Sequence, residues 1–336
     1  MKRVLTMLMV TVLVVAFAAT GYAEEKEYTI GVCFCAWNNP FAQAVYDGIE
    51  EKIAQHADVE FILLDGEDDP VKQADQIDGL IQQNVDCIIL QPSISDSLIT
   101  ACEKINDAGI PLLLFDRKMY QRDSDIYWEC LVDWDMQLAG IINAQQVAEA
   151  VGNEGKIVVV EGELGTSTME ERGGAFYDAL AEYPDVEIVY TVQGDFARAK
   201  GMEVTQDVLA RLQPGSFDAI YYMSDEMCLG GLEAIKAADR LGEFKIISCD
   251  GSAECMEAMR NGEIDYEVAA IPKYNGVVID VAVDVVKGTF STENEYYFGD
   301  ELIPWDEEGW EGFPHLEALC YGVDSENMND PLFAGY

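Results

Sequence analysis

Six short stretches of this chain gather carboxylate, guanidinium, amide and aromatic side chains: Asn38-Asn39-Pro40-Phe41, Phe115-Asp116-Arg117, Glu171-Arg172-Gly173, Asp195-Phe196, Ser224-Asp225-Glu226 and Cys249-Asp250-Gly251. Asp and Asn exchange paired hydrogen bonds with adjacent hydroxyls, Arg supplies a planar fork, and aromatic rings cover apolar C–H faces. That is the chemistry that grips a carbohydrate. Each stretch also has a plainer reading. Asn39-Pro40 suits a helix start, Asp116 and Asp250 suit strand-end caps, and Phe196 suits a core. Six complementary groups at the ends of expected strands are harder to set aside than any one of them.

The apolar pattern supplies the elements that must position these groups. Strands are predicted over 28–35, 59–65, 86–91 and 110–116, with helices over 41–53, 71–83 and 95–108 between them. The alternation restarts after Asp135, with helices over 138–151, 169–181, 197–212 and 225–238 and strands over 156–161, 186–192, 217–222 and 244–250. A strand over 266–270, a helix over 275–287 and a strand near Tyr296 complete it. Such alternation builds parallel sheets with helices on both faces, here an α/β fold of two doubly wound parallel-sheet lobes. Ligands settle beyond the carboxyl ends of parallel strands, which is where the six stretches fall. The acidic tail from Trp305 to Tyr336 has no clear period, and its aromatic residues point to packing on a lobe.

Composition narrows the functional classes. Lys2 and Arg3 precede an apolar run over 4–19 and small residues ending at Ala23, the pattern of a cleaved export signal over 1–23. The run is shorter than the ~20 apolar residues of a membrane span, and no cysteine follows it for lipid attachment. A formal net charge of −43 disfavours nucleic acid and anionic ligands. Nine cysteines without a C-x-x-C pair read as small buried hydrophobes rather than as a disulfide framework. His56 and His315, the only histidines, lack zinc-spaced partners and support neither a metal site nor a nucleophilic triad. No G-x-G-x-x-G follows the first strand and no G-x-x-x-x-G-K occurs, so no nucleotide cofactor is expected. Asp116 and Asp250 as paired glycosidase carboxylates are the remaining enzymatic alternative, which glycoside turnover would reveal.

In order and spacing, the stretches at Asn38-Asn39-Pro40-Phe41, Phe115-Asp116-Arg117, Glu171-Arg172-Gly173, Asp195-Phe196, Asp225-Glu226-Met227 and Cys249-Asp250-Gly251 resemble the ribose-type periplasmic sugar-binding proteins, the class I receptors of ATP-driven sugar importers. The resemblance runs from about Tyr28 to Phe298. It implies a type I periplasmic binding protein fold whose lobes are joined by a hinge of three crossings, near Asp135, Ala270 and Phe298. The lobes would comprise 24–134 plus 271–297, and 135–270 plus 298–336 with the acidic tail. Asn39, Phe41, Asp116 and Arg117 would contact the sugar from the first lobe, and Arg172, Phe196 and Asp250 from the second.

The pattern is not matched everywhere. Ala42 stands where the family has a second aromatic residue, Ser224 where it has an asparagine, and Ala270 where it has a glutamine. A larger sugar such as a hexose could use the freed space, or Trp37 and Trp134 could fill it, each Trp being equally suited to a core. The resemblance further implies a small neutral sugar as ligand, a membrane permease of an ABC importer as partner, a periplasmic location, a monomer, and binding rather than catalysis. A chemotactic receptor is the alternative use of the same closed form. A sugar-responsive transcription regulator shares the fold, but an export signal occupies the place of its DNA-binding helices. The acidic stretch over 65–78 lacks the ligand spacing of the calcium loop found in galactose-type receptors.

Overall fold

The computed structural model describes residues 26–336, so the export signal expected over 1–23 lies outside the described residues. Strands β1 (Tyr28–Phe34), β2 (Val59–Asp65), β3 (Cys87–Leu90), β4 (Leu112–Phe115) and β5 (Cys130–Trp134) alternate with helices α1 (Pro40–Ile53), α2 (Pro70–Gln83) and α3 (Ser95–Asp107). The helix starts are written in the sequence. Asn39 and Asp69 each cap the next helix through a side-chain oxygen, and Pro40 and Pro70 occupy the first helical positions, where no backbone donor is needed. β3, β4 and β5 are buried along their whole length, as continuous apolar runs in a covered parallel sheet must be.

The second lobe repeats the scheme. It contains α4 (Met136–Ala150), β6 (Gly155–Glu161), α5 (Gly174–Leu180), β7 (Val186–Gln193), α6 (Arg198–Arg211), β8 (Ala219–Tyr222), α7 (Asp225–Ala237), β9 (Lys245–Ile247), α8 (Ala253–Arg260) and β10 (Glu267–Ala269). Its parallel sheet has the order β7-β6-β8-β9. The chain then returns to the first lobe as α9 (Val277–Lys287) and a hairpin of β11 (Tyr296–Phe298) and β12 (Glu301–Ile303). Two short strands, β13 (His315–Ala318) and β14 (Tyr321–Val323), follow. Each lobe has its own apolar core, around Val159, Ile220 and Met227 in the second and on the two faces of the sheet in the first.

The chain passes from β5 to α4 at Asp135 and leaves β10 at Ala270. Beyond Ala270, α1 lies directly on the single turn Pro272–Gly276. A Cβ at Gly48 would meet the Lys273 carbonyl and one at Gly276 the Gly48 carbonyl, so glycine at both positions permits the approach. The third crossing differs from the expectation. β13 pairs in parallel with β5, giving the first sheet the order β13-β5-β4-β3-β1-β2, and only β14 joins the second lobe, antiparallel to β10. The crossing therefore lies between Ala318 and Tyr321 rather than near Phe298, and the tail expected on the second lobe is divided between both. Burial explains the division. Leu316 and Ala318 cover the edge of the first core, and Phe313 packs against Trp128 at 4.4 Å, whereas Phe333 enters the second core.

Candidate functional site

The strand ends of the first lobe carry four of the expected groups. Asn39 Oδ1 accepts the Ala42 amide at 2.8 Å to cap α1, which leaves its side-chain amide as a free donor and sets Phe41 on the first turn. Asp116, just past β4, takes φ 58°, a left-handed conformation costly for a residue with a Cβ. Its Oδ2 accepts Gln91 Nε2 at 2.6 Å, while its buried Oδ1 has no hydrogen-bond partner. Gln91 is fixed in turn by the Cys35 amide at 3.1 Å, and Gln73 Nε2 bonds the Gln91 carbonyl at 2.9 Å. Burial pushes the Asp116 carboxyl above its ordinary range, and neighbouring Arg117 opposes this. Arg117 donates to the Ser93 carbonyl at 3.0 Å.

The second lobe supplies the opposite rim. The helix predicted over 169–181 opens with a π-helical turn, Met169–Gly173, before α5; the wider turn displays Arg172. Arg172 is 2% exposed. Its Nη1 lies 3.1 Å from Asp250 Oδ1 and also donates to the Met223 carbonyl, and its guanidinium sits 4.8 Å from the centre of the Trp134 ring. Its Nε is buried without a partner. Asp250 (φ 135°) and Phe196 (φ 54°) both adopt positive φ, and Phe196 fits only because Gly162 beneath it has no Cβ. Backbone strain of about 1–3 kcal/mol per such residue is characteristic of positions held for function. Ser224 Oγ caps α7 through the Met227 amide at 3.4 Å.

These groups converge on one cleft of about 290 Å³ between the lobes. Asn39, Phe41, Asp116, Arg117, Trp134, Arg172, Phe196, Ser224 and Asp250 all line it. Trp37 does not. It packs against Phe34 at 5.3 Å and Tyr46 at 5.0 Å, an apolar seat away from the cleft. Trp134 both lines the cleft and backs Arg172, at 6.4 Å from Phe41. Gln91, Asp68 and Glu163 also line it and were not singled out by sequence. Gln91 ends the strand predicted over 86–91, so the strand-end rule alone points to it.

The lobes are shut over this cleft. The Lys118 amide donates to Ser167 Oγ at 2.8 Å, and Lys118 Nζ, 2% exposed, lies 3.5 Å from Glu171 of the second lobe and 3.5 Å from Asp133 of the first. Arg122 pairs with Glu170 across the same seam at 3.1 Å. Among the described residues, two groups gather metal-binding donor types, Asp133-His315-Glu317 with Glu317 half-buried and the fully buried Asp225-Cys255-Glu267. In the first, Lys118 already supplies the positive charge. In the second, burial and the adjacent Asp225 push the Glu267 carboxyl well up. All nine cysteines are buried and unbridged; burial pushes the thiols of Cys33 and Cys35 up to about 12, which leaves them inert.

The raised carboxyls give stability a pH dependence of defined sign. Burial raises Asp250 to about 7 against the pull of Arg172, and raises Glu317 to about 7 with Asp133 adding to the effect. Between about pH 4, where free carboxyls titrate, and pH 7 the folded chain holds protons that the unfolded chain has released. Stability contributed by these groups is present at the acid end and lost as pH rises through that window. The urea midpoint is expected to be higher near pH 5.5 than near pH 8, and Glu317→Gln to flatten the dependence; an identical slope in the variant would refute the assignment.

The family described as periplasmic binding protein domain matches residues 30–289. The ribose import binding protein RbsB of Bacillus subtilis (strain 168) is 31% identical over 266 residues, covering 79% of this chain and 84% of that protein. Its counterpart in Escherichia coli (strain K12) is 26% identical over 289 residues, covering 86% and 94%. Among solved structures, an ABC transporter solute-binding protein from Bacillus halodurans C-125 with bound myo-inositol superposes with a TM-score of 0.78 at 25% identity, covering 94% of this chain and 100% of that one. The Caulobacter myo-inositol binding protein shares the fold, with a TM-score of 0.79 at 22% identity over 90% and 95%. With two parallel-sheet lobes, a cleft between them and a match of this extent, the chain belongs to the periplasmic binding protein domain family.

Proposed function

We propose that this protein captures a small neutral sugar or polyol between its lobes and hands it to the membrane permease of an ABC importer, acting as an exported, periplasmic monomer. The observation that carries this is the pairing of two unspent groups in one closed space. Asp116 offers a buried acceptor and Arg172 a buried donor, neither with a partner of its own, and Phe41 and Phe196 come from opposite lobes. A polar group buried without a partner is costly, and a ligand hydroxyl at each would remove that cost. The rings suit the C–H faces of a sugar. A single small anion is disfavoured, because Asp68, Asp116, Glu163, Asp195, Glu226 and Asp250 line the cleft against Arg117 and Arg172. Binding rather than catalysis is supported by the relatives, which are named import binding proteins.

Closure follows from differential binding. A ligand shuts the lobes only to the extent that it binds the shut form better than the open one. Contacts divided between the rims provide that difference, and the shut form is what a permease can recognise. A thermal-shift screen of the mature protein against monosaccharides and myo-inositol tests the reading. A true ligand at about 100 times its Kd adds about 2.7 kcal/mol to stability. Absence of a shift with every pentose, hexose and polyol tried would remove the proposal.

A further inference from the structure

The segment after β14 is fastened to the second lobe. Phe333 is buried in that lobe's core and packs tilted against Tyr321 at 5.9 Å, while Arg260 Nη2 donates to the Phe333 carbonyl at 2.7 Å. Gly335 lies against the backbone of Ser252 and Ala253, and the Ala253 amide donates to the Tyr336 carbonyl at 3.3 Å. From this anchorage the Tyr336 ring crosses to the first lobe. It meets Phe41 edge to face, with ring centres 5.8 Å apart and planes at 86°. Phe41 is one of the two rings that line the cleft from opposite sides, and its own helix offers no neighbouring ring, since Ala42 follows it.

We propose that Tyr336 is a positioning residue of the cleft: held by the second lobe, it braces the Phe41 ring of the first, and does so only while the lobes are shut. The inference rests on the reading of the cleft as a sugar site. Tyr336 is not itself among the residues lining the cleft, so it acts through Phe41 and through the closed geometry. Burial and the nearby carboxylates of Asp250 and Asp225 also push the Tyr336 hydroxyl well above its ordinary range, which keeps it neutral on the inner side of the seam. An edge-to-face pair adds a modest specific attraction beyond buried area, and it is lost on opening, so it belongs to the release step. Because the contact is between rings, Phe should serve at position 336 and Ala should not.

The test uses the full mature chain in two arms. In the first, stopped-flow dissociation of D-ribose and of myo-inositol is followed for wild type, Tyr336→Ala and Tyr336→Phe. Tyr336→Ala is expected to release whichever of them the wild type binds about 3- to 10-fold faster. Tyr336→Phe should restore the wild-type rate, and the urea midpoint of the unliganded Ala variant should match wild type. In the second, 4-fluorophenylalanine is placed at position 41 and its fluorine resonance is read with and without Tyr336→Ala. The resonance should move in the Ala background, since a ring standing edge-on is withdrawn. An unmoved resonance, or an unchanged release rate in a wild type that does bind, overturns the proposal. A lower midpoint with an unchanged rate marks a purely structural anchor and overturns it too. A wild type blind to both probes and to the whole sugar panel overturns the functional reading instead, whereas a wild type that binds but shows neither Tyr336 effect overturns the brace alone.

Discussion

Arg172→Ala is expected to abolish measurable sugar binding while leaving the unliganded fold in place. Arg172 joins the second rim to the first: it pairs with Asp250 at 3.1 Å, lies over Trp134 of the first lobe, and keeps one buried donor unspent. Truncating one partner of a buried, hydrogen-bonded charge pair at a binding surface costs about 2–5 kcal/mol, so affinity should fall by at least about 30-fold. The fold should survive because burial already holds Asp250 near neutrality, at about 7, and the carboxyl abandoned by Arg172 can take up a proton. Arg172→Lys should also be impaired. It keeps the charge but has neither the planar fork nor the stacking face that Trp134 receives. Titration calorimetry on the sugar found by thermal shift decides the matter, and wild-type affinity in Arg172→Ala would end the site assignment.

Lys118→Met carries the second large effect, and on stability rather than recognition. The ammonium is 2% exposed, lies within 3.5 Å of Asp133 and Glu171 and 3.9 Å of Glu317, and stands 4.1 Å from the centre of the Trp310 ring. Met replaces the stem at similar volume and removes only the charge. Three acidic groups are then left around a buried site with only His315, 2.6 Å from Asp133, to balance them, and breaking such a cluster from one side costs about 3–5 kcal/mol. Urea unfolding near pH 7 should show the loss. Glu171→Gln in the same chain should restore part of it, because it removes one of the stranded charges on the facing lobe. A Lys118→Met protein as stable as wild type would show that the cluster holds nothing together.

The rims were legible in the sequence for a simple reason. A parallel sheet sends every strand's carboxyl end to the same edge, so Asn39, Asp116, Arg172, Phe196, Ser224 and Asp250 could be gathered without knowing any distance. Trp37 followed the same rule and failed, since a residue beyond a strand can face either way and its neighbours Phe34 and Tyr46 offered an apolar seat. The π-helical turn at Met169–Gly173 left no mark in a pattern that fits an ordinary helix. β13 was unreadable for another reason: four residues in a run of charged and aromatic groups carry no usable period, and their partner β5 lies far back in the chain. Tyr336 could not have been found at all, because what matters is the ring it meets, not the residues beside it.

The pairing of β13 with β5 has a bearing on how the molecule is born. Until residues 315–318 have emerged, the edge of β5 facing away from β4 has its backbone donors and acceptors unpaired, so the first lobe stays unfinished while most of the second lobe is being made. Completion waits on the pairing of residues 130–134 with 315–318, a contact of very long sequence separation and correspondingly slow to form. Any shortened product that stops before His315 would leave a ready template for strand addition by another copy, and aggregation of such fragments is the consequence written into the topology.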